Sequence, residues 1–216
     1  QNKIKKFIFA SSASIYGDTM NKKINENFRS DPKHFYAYTK LIGEKMIINY
    51  SKMNKFDYTI FRFFNIYGKN SVAVVAKFIA QKLQNKRITI FGNGQQKRDF
   101  LHIDDLNYAI HQSIKIKKSN NQIYNLGSGK SESVINLKKI VSKKKDHIFL
   151  EKRNDDIEIS IANINKIKKH LNWSNKVSLK IGVADMLIND KKRLSKIKLP
   201  SIKSQKKLLK YFSKNN

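Results

Sequence analysis

A series of short apolar runs punctuates this chain: IKKFIFA (4–10), YTIFRFF (58–64), ITIF (88–91), QIYNL (122–126) and HIFL (147–150). Between them lie longer stretches of helical period. They run from Tyr36 to Asn54, over Val72–Leu83, to about Ile116 from a cap at Asp104 or Asp105, over Val134–Ser142, and near Ile164–Leu171 and Leu179–Ile188. Strands that alternate with helices imply crossover connections, and those dictate an α/β architecture around a parallel sheet. Tyr58–Phe64 is apolar almost without a break, as suits a strand covered on both faces. No stretch repeats another.

At 216 residues, 40% of them hydrophobic and 11% aromatic, the chain can bury a substantial core as one large domain or two small ones. No apolar run approaches the roughly 20 residues that span a bilayer, and no secretory signal pattern opens the sequence, so no membrane partner is expected. Cysteine is absent, which excludes disulfides and thiolate metal sites and makes a reducing cytoplasm the expected location. The net charge of +29 raises the question of a nucleic-acid partner. The excess is mostly lysine spread along the whole chain, with six arginines, and it reads as a solvated surface; no nucleic-acid partner is expected. The densest stretch, 191–216, holds ten Lys or Arg and no acid, and is expected to be a loosely docked basic tail.

Chemistry concentrates at the first strand end and the helix after it. Tyr36 and Lys40 are four apart, so one helix face presents both to a common ligand. A free tyrosine titrates near pH 10, too high for a base at neutral pH, but a neighbouring ammonium favours the phenolate. Such a pair can exchange a proton with a sugar hydroxyl. Ser12 ends the first strand, at the edge where open α/β sheets bind ligands, and its hydroxyl could share the same substrate oxygen. A Tyr/Lys pair at this spacing is common by chance on helix surfaces.

The wider context is more specific. FIFASSASIYGD (7–18), YAYTK (36–40), FRFFNIYG (61–68), KRDFLHIDD (97–105) and IYNLGSG (123–129) occur in this order. Together they resemble the extended short-chain dehydrogenase/reductase family, in particular nucleotide-sugar epimerases of the UDP-glucose 4-epimerase type, over roughly residues 4–188. The resemblance implies NAD as cofactor, a UDP-linked sugar as substrate and a homodimer that includes the Tyr36 helix. It implies Tyr36 as the acid/base at the sugar 4-hydroxyl and Lys40 as the group that lowers its pKa and holds the nicotinamide ribose. Ser12 would orient the substrate hydroxyl, and Ser11 would add to the cofactor site. Asn65 would lie beside the sugar diphosphate, Arg98 and Arg153 would grip it, as planar cationic forks can, and Asp156 would bind the nucleotide ribose. Ser160 stands where a bulky tyrosine narrows the hexose pocket of glucose-specific relatives, so room for a 2-acetamido group is expected. No metal is implied; the resemblance gives His102, Asp104 and Asp105 structural and capping roles.

The implied fold is a partial Rossmann-like parallel sheet with a smaller α/β substrate-binding domain. Residues 1–65 would belong to the NAD-binding domain and 66–190 mainly to the nucleotide-sugar domain, with 99–126 returning to the sheet and 191–216 as the tail. Two departures stand out. The eight glycines contain no G-x-x-G-x-x-G or G-x-G-x-x-G phosphate loop, so the sequence reads as the C-terminal portion of a longer enzyme. Lys69-Asn70-Ser71 leads almost directly into the next helix, where relatives carry a longer loop. Among related chemistries, a 4,6-dehydratase needs an Asp-Glu pair at the positions of Ala13 and Ser14, and a uronic-acid decarboxylase favours glutamate at Ser14. An NADPH-dependent keto-sugar reductase, a degenerate non-catalytic fragment and a basic binding protein are the remaining alternatives.

Overall fold

The computed structural model describes residues 4–19, 23–144, 147–153 and 157–206. In chain order its strands are β1 (Lys6–Ser12), β2 (Lys23–Ile24), β3 (Asp57–Phe63), β4 (Asn65–Tyr67), β5 (Ile88–Phe91), β6 (Lys97–Arg98), β7 (Phe100–His102), β8 (Gln122–Leu126), β9 (Glu132–Ser133), β10 (His147–Leu150) and β11 (Ile159–Ala162). The helices are α1 (Phe35–Asn54), α2 (Val74–Leu83), α3 (Ile103–Lys115), α4 (Val134–Val141), α5 (Asn165–Leu171), α6 (Leu179–Asn189) and α7 (Lys191–Leu194). None of the described helices is long and apolar enough to cross a membrane.

The expected parallel sheet is present. β1, β3 and β8 form it in that order, with Ser12 level with Phe63 and Phe63 level with Leu126. Helix α1 covers one face, and α5 packs on the other side together with α3. The apolar run of β3 follows from this double cover: Ile60 and Phe61 are both fully buried. Gly43 in mid-α1 costs about 0.5–1 kcal/mol of helix propensity. It lets α1 settle on β1, because a Cβ there would lie 2.8 Å from the Phe9 ring.

Two separate apolar clusters result. The first joins the sheet to α3, α5 and Trp173. The second joins α2, α4, α6 and α7 to β5, which pairs in parallel with β10. Short strands lie between: β4 pairs with β7, and β11 pairs with β2 and β6, while β6 pairs with β9.

Two local expectations need correction. The cap of α3 is His102, whose Nδ1 accepts from the Asp104 N–H at 3.4 Å, while Asp104 and Asp105 sit in the first turn. Asp105 has turned inward to accept from the Lys176 and Val177 N–H groups. The basic segment is firmly docked at its start, since Leu194 is fully buried in the second cluster. Residues 207–216 lie outside the described residues. The short strands β2, β4, β6, β7 and β9 escaped the sequence reading because two or three residues cannot display a period, and the four-residue β11 was not read as a strand.

Candidate active site

The carboxyl end of β1 is the floor of the site. Ser12 leaves the strand and caps a 3-10 turn, Ala13–Tyr16, its Oγ accepting from the Ser14 N–H and from the Ser14 hydroxyl at 3.2 and 2.9 Å. Both contacts use oxygen lone pairs, so the Ser12 proton is left to donate elsewhere. Across from it, α1 begins after His34, whose Nδ1 accepts from the Ala37 N–H. Tyr36 therefore stands in the first turn, with 54% of its surface exposed. One turn on, the Lys40 ammonium donates to the Ala10 carbonyl at 2.9 Å and lies 5.6 Å from the Tyr36 ring centroid. The tyrosine, the lysine and the end of β1 are thus brought to one place.

A buried network beneath this surface was not anticipated. The Glu44 carboxylate is 2% exposed; it accepts from the Ser11 hydroxyl and is gripped by Arg62 Nη2 at 2.7 Å and Nε at 3.0 Å. Arg62 Nη1 donates to the Tyr16 hydroxyl at 2.9 Å, and Tyr16 donates to Asn125 Oδ1 at 2.6 Å. Burial pushes the Tyr16 phenol up to about 12, against the pull of Arg62. The network ties α1 to β1, β3 and β8. Its only sequence trace is one arginine inside an apolar strand and one glutamate four residues past Lys40. The Ser11 side chain belongs to this network: it is buried and its hydroxyl donates to the Glu44 carboxylate.

Past the carboxyl ends of β1 and β3 lie two cavities that share Phe64, Asn65 and Arg98 as a common wall. The smaller, about 190 Å³, is lined by Ser12, Ser14, Asn65, Arg98 and Ser160 among others. The larger, about 490 Å³, extends past Phe91 and Val72 to Arg153. Ser160 reaches the smaller cavity because β11 lies beside β6 with Ser160 level with Arg98. Arg98 Nη1 donates to the Lys97 carbonyl, and the Arg153 guanidinium stacks 4.0 Å over the Phe91 ring. Asp156 lies outside the described residues. Among the described residues no group of three or more His, Asp or Glu could hold a metal ion.

Asp99 organises this second half from below. It is fully buried, and its carboxylate accepts from the N–H groups of Ser128, Gly129 and Ala162 and from the Ser128 hydroxyl. Burial raises its pKa, and those hydrogen bonds pull the other way. Its carbonyl accepts from the Asn65 N–H at 3.0 Å and from Asn65 Nδ2 at 3.3 Å. Gly127 is required beside it, since a Cβ there would come 2.7 Å from Asp99 Oδ2.

Comparison with known proteins places this geometry. Residues 1–127 match the NAD dependent epimerase/dehydratase family. A UDP-glucuronate 4-epimerase of Thermodesulfobacterium geofontis is 32% identical over 203 residues, covering 90% of this chain and 62% of its own. The crystal structure of a UDP-glucuronic acid 4-epimerase from Bacillus cereus, in complex with UDP-glucuronic acid and NAD, superimposes with a TM-score of 0.82 at 30% identity, over 89% of this chain and 63% of that one. A UDP-N-acetylglucosamine 4-epimerase from Methanobrevibacter ruminantium, in complex with UDP-N-acetylmuramic acid, gives 0.78 at 28% identity, over 87% and 64%. The chain thus spans a little over three fifths of the length of these relatives.

Proposed function

The chain belongs to the NAD dependent epimerase/dehydratase family, and we propose that it carries the acid/base and sugar-binding parts of a nucleotide-sugar epimerase that inverts C4 of a UDP-linked hexose through a 4-keto intermediate. The observation that carries this reading is the placement of Ser12, Tyr36 and Lys40 at one sheet edge, beside a cavity floored by Asn65, Arg98 and Ser160.

Tyr36 takes the proton of the sugar 4-hydroxyl as C4 is oxidised, and returns it when C4 is reduced on the opposite face. The Lys40 ammonium, held over the strand by the Ala10 carbonyl, stabilises the phenolate that Tyr36 presents before it takes the proton and becomes again once the proton is returned. Ser12 donates its remaining proton to the same oxygen. When bound, NAD would supply the acceptor, and then the donor, of the C4 hydride. Tyr36 and Lys40 fit the nicotinamide-ribose end of that cofactor, at the strand edge where such sheets bind ligands; no glycine-rich phosphate loop occurs in the 216 residues. Arg98 and Arg153 are assigned to the diphosphate in the larger cavity, with Asn65 beside it and Asp156 at the ribose.

Ala13 and Ser14 stand where a dehydratase would need two carboxyl groups, which favours epimerisation over loss of water. Ser160 leaves space for a 2-acetamido group, so UDP-N-acetylglucosamine is expected as a substrate alongside UDP-glucose. Phe35, Tyr38, Ile42 and Met46 form an exposed apolar stripe along α1 that suits a homodimer contact. The reading places the protein in the cytoplasm, where a dinucleotide and nucleotide sugars are both supplied.

The test is to give full-length protein UDP-glucose deuterated at C4, together with NAD. UDP-galactose that retains the deuterium is the expected product. A 6-deoxy-4-keto sugar, or no conversion of any UDP-hexose, would overturn the proposal.

A further inference from the structure

The short loop between β4 and α2 forms one lip of the larger cavity, through Val72 and Ala73. By itself this loop has little to fix it. Asn70 has a left-handed φ of 65°, the N-terminus of α2 has no side-chain cap, and Val72 is 77% exposed. Within the loop, only the turn bond from the Ser71 N–H to the Gly68 carbonyl and one Ser71 hydroxyl contact to the Ala73 N–H support it.

Its outside support comes from the other end of the chain. The Asp190 carboxylate is 3% exposed; it accepts from the Asn70 N–H at 3.4 Å and from Arg193 Nε at 2.8 Å, and forms a second, closer contact with Arg193 Nη2. Arg193 Nη2 also donates to the Ser71 carbonyl at 3.0 Å. Further on, Leu194 is fully buried against α2, and Gln84 at the far end of that helix donates to the carbonyls of Leu194 and Ile197. Residues 190–197 therefore run beside α2 as a brace that holds both ends of the helix, including the lip of the cavity.

We propose that Asp190 and Arg193 are positioning residues for the nucleotide-sugar pocket, setting the Asn70–Ala73 lip before ligand arrives. This inference rests on the assignment of the larger cavity to the nucleotide diphosphate. A planar fork that binds a carboxylate and a carbonyl together fixes direction as well as distance. Neither residue lines the cavity, so their effect is on binding and not on the proton transfers at Tyr36. A preset wall spares the ligand the ordering entropy of closing it.

The experiment measures UDP binding by calorimetry, steady-state kinetics, and amide hydrogen exchange of residues 70–76 in full-length protein, for wild type, Arg193→Ala, Arg193→Lys and Asp190→Asn. Arg193→Ala and Asp190→Asn should each weaken UDP about five- to twenty-fold, raise KM in step and leave kcat unchanged. Exchange at 70–76 should quicken at least about ten-fold, and Arg193→Lys should recover only part of each loss. Unchanged exchange in Arg193→Ala, or a fall in kcat at constant KM, would overturn the brace whether or not the pocket assignment holds. Wild-type protein that fails to bind UDP would overturn the pocket assignment and this inference with it, whereas normal UDP affinity in Arg193→Ala would overturn the inference alone.

Discussion

The two halves of the site are built by different means. The half proposed for proton transfer sits on one long helix and one strand, α1 and β1, and the spacing that brings Tyr36 to Lys40 is the pitch of the helix itself. The half proposed for the sugar diphosphate is assembled from Asn65, Arg98, Arg153 and Ser160, carried by β4, β6, β11 and a loop, none longer than four residues where it is regular. The first half is positioned by local geometry and then locked by a buried ion pair. The second is positioned by long-range hydrogen bonds that converge on Asp99. A half that depends on one helix should resist changes elsewhere, while a half that depends on many contacts should be tuned by them.

The largest expected effect falls on the first half. Tyr36→Phe should lower turnover about a hundred- to ten-thousand-fold without loss of stability, because the residue is exposed and its hydroxyl makes no hydrogen bond among the described residues. Near-normal turnover in steady-state assays would remove Tyr36 from the mechanism. Next comes the lock beneath it. Glu44→Gln leaves Arg62 buried without its charge partner, which should cost about 3–5 kcal/mol in urea unfolding. A cost below about 1 kcal/mol, the range of exposed pairs, would mean that the pair is wetter than its 2% and 7% side-chain exposures indicate.

The second half should respond by degrees. Ser160→Tyr should reduce kcat/KM for UDP-N-acetylglucosamine about ten- to two-hundred-fold, the range for pocket-size effects, with little change for UDP-glucose. Equal losses for both sugars would show that Ser160 does not face the hexose. The smallest effect concerns the brace. The Arg193 hydrogen bond holds the Asp190 carboxyl below the ordinary carboxylate range, with burial opposing it. A carboxylate with a depressed folded pKa adds stability above its unfolded value near 4, and that stability is lost as pH falls through the folded pKa. Wild type should therefore lose up to about 1 kcal/mol more than Asp190→Asn between pH 5 and pH 2. Parallel pH profiles for the two proteins, followed by urea midpoint, would contradict the pairing.

Much of the architecture was legible because it rests on periods. The runs at 58–64, 88–91, 122–126 and 147–150 became strands, and the helical stretches became helices displaced by at most two residues, since apolar spacing is a local record of burial. The Tyr36–Lys40 pairing was legible for the same reason. The capping of α3 was misread because Asp104 and Asp105 are good cap residues in isolation, yet a histidine two positions before Asp104 already accepts from the free N–H. Ser11 could be placed on β1, but not on the face of β1 that Glu44 occupies.

The sequence by itself determined the alternation of strand and helix, the parallel sense of the sheet, and the presentation of a phenol and an ammonium on one helical face. Each of these depends on residues within a few turns of one another, so propensity and period suffice. Tertiary structure alone decided that Ser160 lies beside Arg98, that Asp99 joins Asn65 to the Gly127–Gly129 turn, that Glu44 and Arg62 meet beneath the end of β1, and that Arg193 reaches Ser71 across more than a hundred residues of chain. These contacts join polar groups that are distant in sequence, and a polar residue carries no periodic mark of its partner. Only burial, by making an unpaired polar group costly, selects which of them must meet.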